Sequence, residues 1–473
     1  MINKIYKKID IILDFLIAFI IIIQDVDKFV IFGTPFYKYV ILLMFFLLLI
    51  IFLKKNNKIK INKLYALIYC FLIIFTIVFN KSKIVLIPSI FLTLEIITFT
   101  MYIQSKRNAK QLMSSLFNVI YFSAIFISLL SIVQFLAYKL NLNLIYSLIT
   151  QNVFYLNEGR YSSIYTEPAH LCTIIASGLF ISMYYIVNNK KNINYIFLSL
   201  LIISGLLSGS IIVYFSLVLF SILFIYYCFF TEHDREFKKR INYIALIIVF
   251  TFAFVFLLLD RSVILSAKNK IDSLLSNKDF GQNETIDIIE EKSDDTSNSI
   301  DSNNENNVNK TEEKIKEEIE YVQIANGTSY ALKSNLNICI SKLKNKYFLG
   351  TGLFSHVLYY DEYMKKLYPL GYIRFNYVDA CSMLLRIFSE VGIIGLVLFI
   401  FILIYMFILA IKKKNLFLLF FWMEFISQSM RMGEYNWLLI CLPFLIMLNH
   451  IKFDKKYYLT LNLGGIFKNE KKS

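Results

Sequence analysis

Between Gly159 and His170 the chain reads GRYSSIYTEPAH, which gathers an arginine, a carboxylate and an imidazole just ahead of an apolar run. Arg160 and Glu167 stand seven residues apart, with Tyr161, Tyr165 and Thr166 between them. A guanidinium offers a planar fork to a phosphate, and a carboxylate or imidazole takes a proton from a hydroxyl, so the set suits anion binding joined to general-base chemistry. Plainer roles exist too. Glu167, just before Pro168, is placed to cap the helix the proline opens, and His170, next in that helix, to pack as a neutral ring. Tyr359 to Tyr377 is rich in tyrosine and carries Lys365, Lys366 and Arg374. Rings beside cations fit a sugar-phosphate ligand, and they equally fit a helix anchored at lipid headgroups. The short turn RMGEYN adds Arg431 and Glu434. The six cysteines show no CxxC or Cys/His ligand spacing, so neither a zinc site nor a disulfide framework is indicated.

The elements that must position these residues are membrane helices. Hydrophobic residues make up 57% of the 473, and the mean hydropathy is +0.59, far outside soluble norms. The expected fold class is all-α, a polytopic membrane protein with twelve transmembrane helices near 9–24, 36–53, 64–80, 84–103, 112–138, 168–187, 195–208, 210–230, 243–259, 382–411, 416–430 and 436–452. The basic N-terminus leads into an apolar run without a small-residue cleavage site and reads as the first span. The run Ile196 to Phe230 is broken only by SGLLSGS, and we read it as a hairpin turning there. With that hairpin, twenty-six Lys and Arg fall on one face of the membrane and eight on the other, the long loop 260–380 left aside. The positive-inside rule then makes both termini cytoplasmic, with 453–473 a basic tail. The net charge of +15 is mostly membrane-anchoring lysine, which leaves nothing for a nucleic-acid partner to explain.

On the outer face lie 139–167, the 260–380 loop and the turn Arg431–Asn436. The loop divides. Residues 279–320 hold fourteen acids against four lysines and almost no aromatics, a composition expected to stay disordered. This run has no DxDxDG calcium loop. Residues 321–380 regain helical periodicity, ending one segment in the glycine turn LGTG.

Several stretches resemble, in order, the bacterial O-antigen and capsule repeat-unit polymerases (Wzy-type) and the related O-antigen ligases. GRYSSIYTEPAHL is similar to their arginine and Glu-Pro signature, LLSGSIIVYFSL to their Ser/Thr-rich helical hairpin, and KYFLGTGLFSH to the late glycine turn of their large outer loop. MLLRIFSEVGIIGLVLFI, Met383 to Ile400, resembles their Glu followed by Gly-x-x-Gly, here Glu390, Gly392 and Gly395. SMRMGEYNW looks like their short outer turn with an arginine. The ligases carry a His-Asn pair some nine residues before that Glu; here DACSMLLRIFSE offers Asp379, Cys381 and Ser382, which favours the polymerase. Where the family has an arginine early in the folded part of the loop, this chain offers Lys333.

The resemblance implies an inverting glycosyl transfer without metal or cofactor, in which a glycan leaves its polyprenyl diphosphate for the next lipid-linked repeat unit. Arg160 would meet the diphosphate, with Arg431, Arg374 or Lys333 as partners, and Glu167, His170 or Glu434 would activate the acceptor hydroxyl. The implied partners are lipid-linked donor and acceptor and the bilayer of the cytoplasmic membrane, with a flippase and a chain-length regulator alongside. Rival readings are an O-antigen ligase, a lipid-linked oligosaccharide flippase, and a membrane scaffold; no inverted repeat supports the flippase.

Overall fold

The structure, a computed structural model, describes residues 2–24, 26, 29–54, 58–80, 82–106, 108–150, 161–165, 167–189, 192–230, 235–258, 327–345, 348–367, 374, 376–430, 432–450 and 458–462. It is almost wholly helical. The helices are α1 (Ile2–Ile23), α2 (Phe36–Lys54), α3 (Lys63–Phe79), α4 (Lys83–Ser105), α5 (Ala109–Lys139), α6 (Asn143–Ile149), α7 (Pro168–Asn189) and α8 (Ile193–Leu207). They continue with α9 (Ile211–Phe230), α10 (Arg235–Leu258), α11 (Gly327–Lys344), α12 (His356–Leu367), α13 (Met383–Lys412), α14 (Leu416–Ser429) and α15 (Leu438–His450). Every apolar segment expected to be helical is a helix. Some ends extend, because a helix runs on past its apolar stretch: α10 starts at Arg235 and takes in the basic residues ahead of 243. Among the described residues five helices, α2, α4, α5, α7 and α13, are long and apolar enough to cross a membrane, and several shorter apolar helices accompany them. Residues 279–320 lie outside the described residues.

The break at Ser204 to Ser210 is real. Gly209 takes a positive φ of 58°, Ser208 Oγ donates to Gly205 O at 2.6 Å, and Ser210 N donates back to Ser208 Oγ at 3.3 Å. The two halves do not close into a tight hairpin: α8 and α9 both pack chiefly on α7, which also packs on α5. Phe117, Phe180, Phe220 and Phe420, from α5, α7, α9 and α14, interlock at the centre with ring centroids 4.8–6.3 Å apart. Most of these helices are apolar all round, as helices must be where both neighbours and surroundings are apolar.

The two ends of the bundle differ. At one, Lys106 Nζ binds Asp14 Oδ1 at 2.6 Å and Tyr102 donates to the same oxygen at 2.8 Å, tying α4 to α1. There β1 (Lys58–Asn62) pairs antiparallel with β2 (Tyr458–Asn462), and Gln104 bonds both backbone groups of Lys60. At the opposite end gather the segment 161–165, the segment 348–356 with α11 and α12, and the turn 432–437. Among the described residues, the strand Tyr458–Asn462 and the segments 161–165, 348–356 and 432–437 thus lie at opposite ends.

Candidate functional site

The turn 432–437 is held on every side by side chains of other elements. Gln24, at the exit of α1, donates through Nε2 to Asn436 O at 2.6 Å and accepts Leu438 N at 2.8 Å, so one buried amide clamps both edges of the chain entering α15. Asn436 Nδ2 reaches Tyr37 OH at 3.0 Å at the start of α2. Arg386, in the first turn of α13, donates to Gly433 O at 3.0 Å, and a side chain at Gly433 would overlap Asp379 O. Against this turn comes the polar patch: the His170 ring lies 5.6 Å from the Trp437 ring, and Tyr165 OH donates to Ile21 O at 3.1 Å.

Beside the turn, α11, α12 and 348–356 form a cap docked on α13. The cap can sit this close because α13 kinks at Gly392, with φ 78° and ψ −175°. That kink turns the Glu390 carbonyl outward to accept Thr351 N at 2.9 Å and Gly352 N at 2.8 Å. A Cβ at Gly392 would overlap Phe348 O and one at Gly350 would overlap Glu390 O, so two chains meet where only glycine fits. The Glu390 carboxylate is filled as well, accepting Phe354 N at 2.7 Å, His356 N at 3.2 Å and Arg386 Nε at 3.1 Å. Arg386 lies between the rings of Phe354 and Tyr435, 5.0 and 4.7 Å from their centroids.

A second chain of bonds runs through the cap. Asn335 Oδ1 can only accept, so His356 donates to it from Nε2 at 2.8 Å, and its Nδ1 accepts from Ser389 Oγ at 2.8 Å. Lys342 donates to that Ser389 Oγ at 2.8 Å and to Thr351 Oγ1 at 3.2 Å, and its ammonium stands 4.6 Å over the Tyr359 ring. Burial drives the Lys342 ammonium down to about 8, against the pull of Glu390. Burial, with the charges of Lys342 and Arg386, holds His356 well below the usual imidazole range, so it is the neutral ring this hydrogen-bond pattern requires.

Of the residues singled out from sequence, His170 and Glu434 come together at the turn, Glu434 O accepting Trp437 N at 3.2 Å. Glu167 sits half-buried ahead of α7, its carbonyl accepting His170 N at 3.2 Å. Lys333 and Arg374 lie apart from this group. Lys333 is exposed on α11, and Arg374 is exposed, its fork engaged by Asp361, with Nε to Oδ1 at 2.9 Å. Arg160 and Arg431 lie outside the described residues. Sequence reasoning passed over Lys342, His356 and Arg386, and noted Glu390 only as part of a motif. A readable signal was the pair Arg386 and Glu390, four apart inside an otherwise apolar stretch. No metal-binding group of three or more His, Cys, Asp or Glu occurs among the described residues. No protein-family model, curated protein or solved structure matches the chain.

Chemically the arrangement divides in two. The charges of Arg386, Glu390 and Lys342 are spent on each other and on backbone, which makes them a latch for the cap. His170, beside the Trp437 ring, and Glu434 belong to the neighbouring turn and not to this latch.

Proposed function

We propose that this chain polymerises polyprenyl-diphosphate-linked oligosaccharide repeat units on the outer face of the cytoplasmic membrane, by metal-independent inverting glycosyl transfer, as a twelve-span protein with both termini cytoplasmic. The observation that carries the reading is the gathering of a folded cap, His170 and Glu434 at one end of an apolar bundle. A ligand whose lipid lies in the bilayer and whose sugars lie outside would meet its enzyme at such an end.

In the reaction, the acceptor hydroxyl attacks the anomeric carbon of the donor. The bond from that carbon to the diphosphate oxygen breaks, and the diphosphate leaves on its lipid. The hydroxyl proton passes to a base, for which the candidates are Glu434 of the turn, His170 of α7 beside Trp437, and Glu167 just ahead of α7. Negative charge grows on the leaving diphosphate, and fixed cations lower that barrier. Arg386 and Lys342 are committed elsewhere, so the task falls to Arg160 and Arg431, with Lys333 and Arg374 at the exposed face of the cap. Glu424, buried in α14 against Ser177 and Gln428, is the feature that favours a flippase, since intramembrane carboxylates often mark transport paths.

Two experiments decide. A deletion strain should lose long glycan while retaining a single repeat; loss of attachment with polymer kept would make the protein a ligase. Purified protein in detergent should elongate the lipid-linked repeat unit extracted from that strain. Failure there, with intact protein, overturns the reading and leaves transport.

A further inference from the structure

Glu95 lies on α4, with no exposure, and neither of its carboxylate oxygens has a hydrogen-bond partner among the described residues. Around it stand Lys38 of α2 and Glu434 of the turn, both close enough to interact electrostatically, with Tyr69 of α3 and Cys441 of α15. Lys38 leans over Phe91, one turn before Glu95, and Tyr69 bonds Thr93 Oγ1 at 2.8 Å. Trp437 is the second such group: it is buried, its indole N–H has no partner among the described residues, and it stands just ahead of α15, its carbonyl accepting Cys441 N at 2.8 Å.

These residues lie at one level of the bundle. Cys441 belongs to the first turn of α15, whereas α4 begins roughly 18 Å of helix ahead of Glu95, at about 1.5 Å per residue. The part of α4 that rises above this level, Val85 to Leu92, packs on Leu353 and Phe354 of the cap. Glu95 and Trp437 therefore lie under the cap and just below the turn that carries Glu434. An acceptor and a donor left unmet in such a place are costly, and native proteins keep few of them without a use.

We infer that Glu95 and the Trp437 indole N–H form a subsite for one hydroxyl-bearing sugar ring of the lipid-linked glycan, a ring that enters beneath the cap. A sugar hydroxyl both donates and accepts, so a single ring answers both groups, and its apolar face suits the indole and the Tyr69 ring. Glu95 on this assignment sets which sugar is accepted. The inference rests on the polymerase reading and deepens it.

The test uses full-length protein, the lipid-linked repeat unit extracted from the deletion strain, and a Trp422→Phe background that leaves Trp437 as the single tryptophan. Glu95→Leu should raise the KM for the repeat unit at least tenfold with kcat within about threefold, and should abolish the quenching of Trp437 emission by that unit. Glu95→Gln, nearly isosteric, should raise KM three- to tenfold, and it decides the matter if the leucine variant fails to fold. An active wild type with KM unchanged in these variants, or with a change in kcat alone, overturns the subsite and leaves the polymerase reading standing. A wild type that forms no polymer overturns both.

Discussion

Glu390 and Glu95 are buried carboxylates at the same end of one bundle, and the fold treats them in opposite ways. Glu390 receives an arginine and two backbone N–H groups, and its own carbonyl receives two more. Glu95 receives none among the described residues. A saturated network fixes one arrangement, and here it fixes the cap to α13. An unsatisfied group forgoes stability, which is tolerated where a ligand will supply what is missing. The difference separates scaffold from site more sharply than burial or charge does.

The largest expected effect breaks this contrast directly, because substitutions in the two places should change stability in opposite directions. Arg386→Ala strands the Glu390 charge in a dry interface and should loosen the cap by about 3–5 kcal/mol. Cys339 reports the loosening. Its thiol is buried against Leu385 O at 3.3 Å on the docked face of α11, so maleimide labelling at that position, located by mass spectrometry, should become rapid. Glu95→Leu removes two unmet acceptors and should raise thermal stability by about 1–2 kcal/mol. If Glu95→Leu destabilises as Arg386→Ala does, the contrast fails.

Acidification should open the cap without any substitution. His356 faces Lys342 of α11, Arg386 and Glu390 of α13, and the Tyr360 ring of its own helix, and it is neutral when docked. Its docked affinity for a proton is depressed, so the stabilisation is complete above about pH 6.5 and is lost as pH falls below it. The cost grows as pH falls below 6.5, until the docked ring itself takes up a proton. Lys342, also depressed, acts in the same sense: between about 8 and 10.5 the undocked form holds more protons, so docking tightens as pH rises. Cys339 labelling across pH 5–8, divided at each pH by the rate for a free thiol, should accelerate toward acid, and His356→Gln should flatten that slope.

Much of the fold was legible because apolar runs and their breaks are local signals: the turn at Ser208 to Ser210 followed from its Ser and Gly residues alone. Sequence singled out Gly159 to His170 because its chemistry clusters locally, and among its described residues the structure sets His170 beside Trp437. The site was not legible where partners are far apart. Lys342 looked like one more surface lysine in SKLKNK until α13 brought Ser389 to it. His356 gained its role only when a loop and a kinked helix met at glycines 350 and 392. Glu95, a lone acid in FLTLEIITFT, was a readable signal, since an acid in an apolar span is seldom idle.

The smallest effect concerns a third kind of carboxylate, one that is exposed. Asp361 holds Arg374 in a two-point pair with side chains 38% and 55% exposed. Water and salt screen such a pair, so Asp361→Asn should change stability by less than about 1 kcal/mol. Function is a different matter, because an engaged guanidinium cannot present the same edge to a phosphate. If Arg374 serves the diphosphate, Asp361→Asn releases it and should lower the KM for the lipid-linked repeat unit, while Arg374→Ala should raise it, both with melting temperature unchanged. If KM moves in neither variant, Arg374 is a surface anchor and the diphosphate depends on Arg160 and Arg431. Either outcome is informative because stability stays still, which the saturated latch at Glu390 does not permit.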